Sequence, residues 1–201
     1  MRIATWNVNS VRPRLPRLLA WLEERQPDVV CLQETKVTTA TFDDLLGADL
    51  ARLGYGFTHH GLGRWNGVAV LSRVGLFDPV CGLPDEPGFP EPEARAVWAT
   101  CGGIRVGSVY VPNGREVGSD HYHYKLAWLG ALRAQVVATD SDLLVCGDVN
   151  VAPGDADLFD PAAFAGHPHV TEEVDTDGGR QPTDRHDDRA AQVVPGAHER
   201  G

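Results

Sequence analysis

Seven polar side chains in this chain sit just past the end of an apolar run. They are Asn7 and Asn9 in TWNVNS, Glu34 in CLQETK, Tyr110 and Asn113 in VYVPNG, and Asp148 and Asn150 in LLVCGDVN. Each has an ordinary explanation when taken singly. An aspartate after a glycine makes a turn or a cap, a glutamate before Thr-Lys is solvated, and an asparagine forms an Asx turn. A tyrosine packs its ring and satisfies its hydroxyl. Together they form a set of oxygen donors without sulfur or imidazole, which suits Mg²⁺ or Mn²⁺. Such an ion beside a separate carboxylate suits hydrolysis of a phosphate ester. Asp148 and Asn150 are two residues apart, so in extended chain both would point to the same side.

These residues need rigid elements to bring them together. Ile3 to Trp6 reads as a short strand, and Leu15, Leu18, Leu19 and Leu22 as one face of a helix that ends before Pro27. Val29 to Leu32 is continuous and β-rich, as in a strand buried on both faces. Phe42, Leu45, Leu46, Leu50 and Leu53 predict a second helix, capped by Thr41. Val68 to Leu71, Ala94 to Cys101 and Ile104 to Val111 predict strands, the last two joined at Gly102-Gly103. Leu126, Leu129, Leu132 and Val136 predict a third helix, and Leu143 to Cys146 a further strand. Pro79 to Pro92 reads as a Pro/Gly/acid-rich loop. Alternating strands and helices with one hairpin predict α/β layers.

The bulk numbers bound the chemistry. At 201 residues the chain suits one domain, or one domain with a tail. A formal net charge of −10 counts against non-specific electrostatic binding of nucleic acid, though not against an enzyme that meets phosphates through a bound cation. The 4 cysteines include no C-x-x-C pair, which argues against a zinc knuckle and for a reducing compartment. Cys31 and Cys146 read as core residues. No apolar run approaches membrane-spanning length, and no secretory leader is expected. From Thr171 onward there is no aromatic residue and no Leu, Ile or Met. The expected division is a domain over residues 1–172 and an acidic low-complexity tail over residues 173–201 that stays disordered.

TWNVNSVR, CLQETK, GVAVLS, VYVPNG and CGDVNVAP, in that order, closely resemble the exonuclease III and AP endonuclease group of the endonuclease/exonuclease/phosphatase superfamily. The resemblance implies a four-layered α/β sandwich, two packed mixed sheets flanked by helices, with the second half incomplete here. It also implies a Mg²⁺- or Mn²⁺-dependent DNA phosphodiesterase, a 3′-5′ exonuclease and abasic-site endonuclease of base-excision repair. Glu34 and Asn7 would then serve the metal, with Asn9 behind them. Tyr110 would lie against the scissile phosphate, Asn113 would hydrogen-bond the DNA backbone, Asp148 would orient or deprotonate the attacking water, and Asn150 would steady the phosphate or a histidine. A monomer in the cytoplasm, acting on abasic-site or 3′-end duplex DNA, is expected.

Members of that group continue past the end of this chain with an aromatic-rich loop, a further aspartate and a closing Ser-Asp-His. The tail contains none of these, so the expected activity is impaired. Only two of the 18 Lys and Arg residues are lysines, Lys36 and Lys125, and the tail reads as a shifted frame in a GC-rich gene. Ser119-Asp120-His121 and Arg185-His186-Asp187 spell similar letters in other places. His59-His60 and His167-Pro168-His169 read as surface or loop histidines. The competing expectations are a truncated remnant without catalysis, and a phosphodiesterase of small molecules or lipids.

Overall fold

The computed structural model describes residues 1–171. The expectations for the tail, including disorder and the Arg185-His186-Asp187 triplet, fall outside the described residues. Among the described residues eight strands and three α-helices occur in the order β1 (Ile3–Asn7), α1 (Val11–Arg25), β2 (Val29–Gln33), α2 (Thr39–Arg52), β3 (Gly56–His60), β4 (Val68–Ser72), β5 (Phe77–Cys81), β6 (Ala96–Cys101), β7 (Ile104–Tyr110), α3 (Asp120–Val137) and β8 (Leu143–Asp148). Two four-stranded sheets result, ordered β1-β2-β4-β3 and β5-β6-β7-β8. Both are mixed, because β1–β2 and β7–β8 run parallel while the remaining pairs are antiparallel.

Three cores separate four layers, as the resemblance implied. One lies between the first sheet and α1 and α2, and includes Leu18, Leu22, Val30, Phe42, Leu46 and Leu71. Between the sheets lie Val29, Cys31, Val68, Val70, Val97, Ala99 and Val106. A third joins the second sheet to α3 through Trp98, Val109, Tyr124, Trp128 and Leu129. The central strands β2 and β4 are buried throughout, which is why their sequences are apolar without alternation. Among the described residues no helix is long and apolar enough to cross a membrane.

Several details correct the sequence reading. Helix α1 begins at Val11, a turn before the leucine stripe, and closes with Gln26 in the left-handed conformation just ahead of Pro27. Thr38 caps α2, not Thr41. The Thr38 hydroxyl accepts from the Thr41 backbone N–H at 3.1 Å, so Thr41 supplies the donor. Strand β3 escaped notice because GFTHH holds one strongly apolar residue, and it places His59 in the interior at 5 % exposure. There His59 stacks on Phe42 with ring centroids 4.2 Å apart and bonds Thr35 at 2.8 Å. Burial, with a smaller push from His60, lowers its pKa to about 3. The Pro/Gly-rich loop begins after Cys81, because Phe77–Cys81 forms an edge strand with a register shift next to Pro79. An edge strand at an irregularity tolerates the missing N–H. Cys31 is buried as expected, whereas Cys146 is only half-buried.

Phe42 is fully buried, so Phe42→Ala should lower the unfolding free energy by about 3–5 kcal/mol. Urea unfolding followed by circular dichroism measures this, and a loss below ~1 kcal/mol would contradict the packing described.

Candidate active site

The two parallel pairs place four strand ends on one rim. Asn7 is in register with Gln33, one residue before Glu34, and Tyr110 is in register with Asp148. The first pair belongs to one sheet and the second to the other. Their side chains meet across the rim. Asn7 Nδ2 donates to Glu34 Oε1 at 2.7 Å and to Asp148 Oδ2 at 2.9 Å. One neutral amide thus spans two carboxylates carried by different sheets. Asn7 Oδ1 faces the other way and accepts from the Asn9 backbone N–H at 3.0 Å.

The interior behind the rim is polar and satisfied. Gln33 is buried, and its Nε2 donates to Ser108 Oγ at 3.0 Å. The Ser108 hydroxyl in turn donates to the Leu32 carbonyl at 3.0 Å. These bonds join β2 to β7 across the middle core. In CLQETK, therefore, Gln33 ties the sheets together, Glu34 reaches the rim and Thr35 turns to His59. Gly147 precedes Asp148 because β8 there lies too close to β7 for a side chain. A Cβ would come within 1.9 Å of the Val109 carbonyl oxygen.

Asp148 and Asn150 do share one cleft, of about 370 Å³, lined also by Leu158, Phe164 and His169. The reason differs from the expected extended alternation. Strand β8 ends at Asp148, and Asn150 is left-handed at φ 50°. Its N–H donates back to Asp148 Oδ1 at 3.2 Å, and its side-chain amide donates to the Val111 carbonyl at 2.9 Å. Both oxygens of Asp148 are thereby held. Asn113 is exposed, with Oδ1 accepting from the Arg115 N–H at 3.1 Å and Nδ2 lying 3.1 Å from His169 Nε2.

Four participants escaped the sequence reading. Lys36 holds its ammonium 2.8 Å from Glu34 Oε2 and 2.5 Å from Asn9 Oδ1. It directly follows the Glu-Thr pair, and its sign is opposite to that of Glu34. Arg95 places its guanidinium 4.9 Å from the Tyr110 ring centroid and pairs with Glu93 at 2.6 Å. A charge inside the apolar run Ala94 to Cys101 was the available signal. His169 is a loop histidine, one of the two expected alternatives, but it is half-buried at the cleft and not on the surface. Burial, Lys125 and His167 lower its pKa to about 4, so Nε2 is free to accept from Asn113. Lys125, on α3, is fully buried behind the cleft. Ser119 caps α3, accepting from the Tyr122 N–H at 3.2 Å, and Asp120 opens its first turn. The Ser119-Asp120-His121 letters are thus a helix start.

Partial burial pushes the Glu34 carboxyl upward, but hydrogen bonds from Lys36 and Asn7, the charge of Lys36 and the Tyr110 hydroxyl outweigh it and leave its pKa below the ordinary value. Tyr110 moves well up, through burial and then Glu34, so its hydroxyl stays protonated. Five non-glycine residues at this rim have positive φ, namely Asn9, Ser10, Glu34, Lys36 and Asn150.

Comparison with known proteins agrees with this fold. The model of the Endonuclease/Exonuclease/phosphatase family matches residues 4–195. The chain belongs to that family. An exodeoxyribonuclease of Bacillus subtilis is 29% identical over 168 residues, covering 81% of this chain and 64% of its own length. The structure of an AP endonuclease from Archaeoglobus fulgidus superposes with a TM-score of 0.80 at 38% identity, over 89% of this chain and 68% of that one. A 3′ phosphatase from Neisseria, solved with a product DNA hairpin, gives 0.81 at 36% identity, over 88% of this chain and 68% of that one. The chain therefore spans less than two thirds of the Bacillus relative.

Because the folded pKa of Glu34 is depressed, the stability it contributes is present above the unfolded carboxyl value, about 4.3, and is lost as pH falls through the lower folded value. Lys36→Met should raise the Glu34 pKa and move the loss of that contribution to higher pH. Carboxyl-carbon NMR titration of Glu34 reads this directly, and an unmoved midpoint would contradict the pairing.

Proposed function

We propose that this family member is a divalent-metal-dependent DNA phosphodiester hydrolase of the exonuclease III type, acting on abasic-site or 3′-end duplex DNA. The observation that carries the reading is the Asn7 amide holding Glu34 and Asp148 together at the joint rim of the sheets. The names of its relatives, an exodeoxyribonuclease, an AP endonuclease and a 3′ phosphatase on a DNA hairpin, support the substrate class. The four cysteines are free thiols, which supports a reducing compartment such as the cytoplasm, and we propose a monomer there.

The donor set suits a hard cation. Two carboxylates converge on one amide, and the Lys36 ammonium already lies against Glu34 Oε2, where positive charge is favourable. Mg²⁺ takes one or two carboxylates and keeps several of its waters, so Glu34 would hold it, supported by Asn7, with Asn9 fixing the Asn7 amide. Bound there, the ion would offset the negative charge that phosphoryl transfer spreads over the phosphate oxygens. Asp148 takes the proton of the attacking water, its Oδ1 and Oδ2 being aimed by the Asn150 N–H and the Asn7 amide. Tyr110 stays protonated and donates to a phosphate oxygen. Asn150 pins the β8 turn to Val111, and Asn113, steadied by His169, offers its amide to the neighbouring backbone.

An abasic-site duplex should be cleaved by the purified chain with Mg²⁺ and left intact with EDTA. Glu34→Ala and Asp148→Asn should each lower the rate by roughly 10²–10⁴-fold. Tyr110→Phe should lower it by about 10²-fold. Turnover of phosphomonoesters or lipids without DNA cleavage would replace this reading with a small-molecule hydrolase. A cooperatively folded chain with no turnover on any of these substrates would end it.

A further inference from the structure

We propose that Lys125 is the positioning residue of the cleft, fixing the three segments that carry Asn113, Asn150 and His169 relative to one another from a single buried ammonium. This deepens the hydrolase reading and rests on it for the catalytic consequence alone.

The geometry is specific. Lys125 is 0% exposed, five residues into α3. Its Nζ donates to the Asn150 carbonyl at 2.6 Å, the Pro168 carbonyl at 2.7 Å and the Asn113 carbonyl at 3.4 Å. An ammonium has three N–H donors, and these three carbonyls use all of them. The acceptors come from the loop after β7, the turn after β8 and the loop that carries Pro168 and His169. Main-chain carbonyls, rather than a carboxylate, therefore meet the buried charge. Burial lowers the Lys125 pKa to about 8, with Asp148 pulling the other way, so the group is predominantly protonated at neutral pH.

Each tethered carbonyl leads to a side chain that lines the cleft or, for Asn113, bonds one that does. From Asn150 the same residue's N–H continues to Asp148 Oδ1, whose partner oxygen accepts from Asn7. From Pro168 the chain passes to His169, and from Asn113 to the amide that meets His169 Nε2. The Ala152 N–H donates to the His169 carbonyl at 2.9 Å, closing the same unit. Gly114 shows how closely the chain wraps the lysine stem. It has φ +89°, and a Cβ there would lie 2.9 Å from Lys125 Cδ and 3.3 Å from Pro168 Cβ. A methionine would fill the same space under α3 with no charge to bury. It could not hold three carbonyls, so packing alone does not call for a lysine.

The chain has only two lysines, Lys36 and Lys125, so selective ¹⁵N-lysine labelling gives two ammonium signals to assign. In the unaltered protein the Lys125 signal should exchange slowly with water and couple through hydrogen bonds to the carbonyl carbons of Asn150 and Pro168. A rapidly exchanging Lys125 ammonium overturns the proposal, whether or not any variant folds. In Lys125→Met, amide exchange should quicken about tenfold or more in peptides covering residues 111–116, 149–152 and 166–171, with β1, β2 and α1 unchanged. Uniform quickening, or none in those segments, also overturns it. On an abasic-site duplex, Lys125→Met should lose about 10²-fold in kcat with KM changed little. Loss in KM alone counts against positioning. If the unaltered chain cleaves nothing, the hydrolase reading fails, while the ammonium and exchange measurements still decide the role of Lys125.

Discussion

Two carboxylates from different sheets are held against one amide, and the rest of the site depends on that arrangement. Glu34 and Asp148 are like charges, and bringing them together unaided raises the free energy of the folded chain. Asn7 has two N–H donors and no charge, so it can bond both without adding a counter-ion of its own. Lys36 supplies the neutralising charge from the other side of Glu34. An aspartate at position 7 would add a third negative charge, and an aliphatic residue would leave the two acids unbridged.

That arrangement requires the sheets to be registered with respect to one another, not only within themselves. Parallel pairing of β1 with β2 and of β7 with β8 sets the ends within each sheet. The bonds from Gln33 to Ser108 and from Ser108 to Leu32 fix one sheet on the other in the middle core. Apolar packing there is non-directional and would tolerate sliding. Directional hydrogen bonds between fully buried partners do not, because a shifted sheet leaves polar groups unpaired.

Much of the fold was legible because its signals are local. The leucine stripes of α1 and α2, the uninterrupted strands β2 and β4 and the Gly102-Gly103 hairpin follow from periodicity and turn chemistry alone. The rim residues were legible as a set, since each follows an apolar strand. Their contacts were not, because Asn7 and Asp148 lie 141 positions apart and no short window relates them. Strand β3 was missed because its burial comes from His59 stacking on Phe42, and edge strand β5 because a proline masks it. Lys125 was passed over as one charge in a helix, since its three acceptors are backbone carbonyls that no side-chain pattern reveals.

The left-handed backbone at Asn9, Ser10, Glu34, Lys36 and Asn150 sets the site against the fold. Such conformations cost roughly 1–2 kcal/mol per non-glycine residue. Five of them together approach the entire net stability of an ordinary domain, about 5–15 kcal/mol. The cores must therefore be strong enough to carry the rim. Resistance to heat and sharpness of the cleft draw on the same reserve, and substitutions that let these turns relax would yield a hardier but blunter protein.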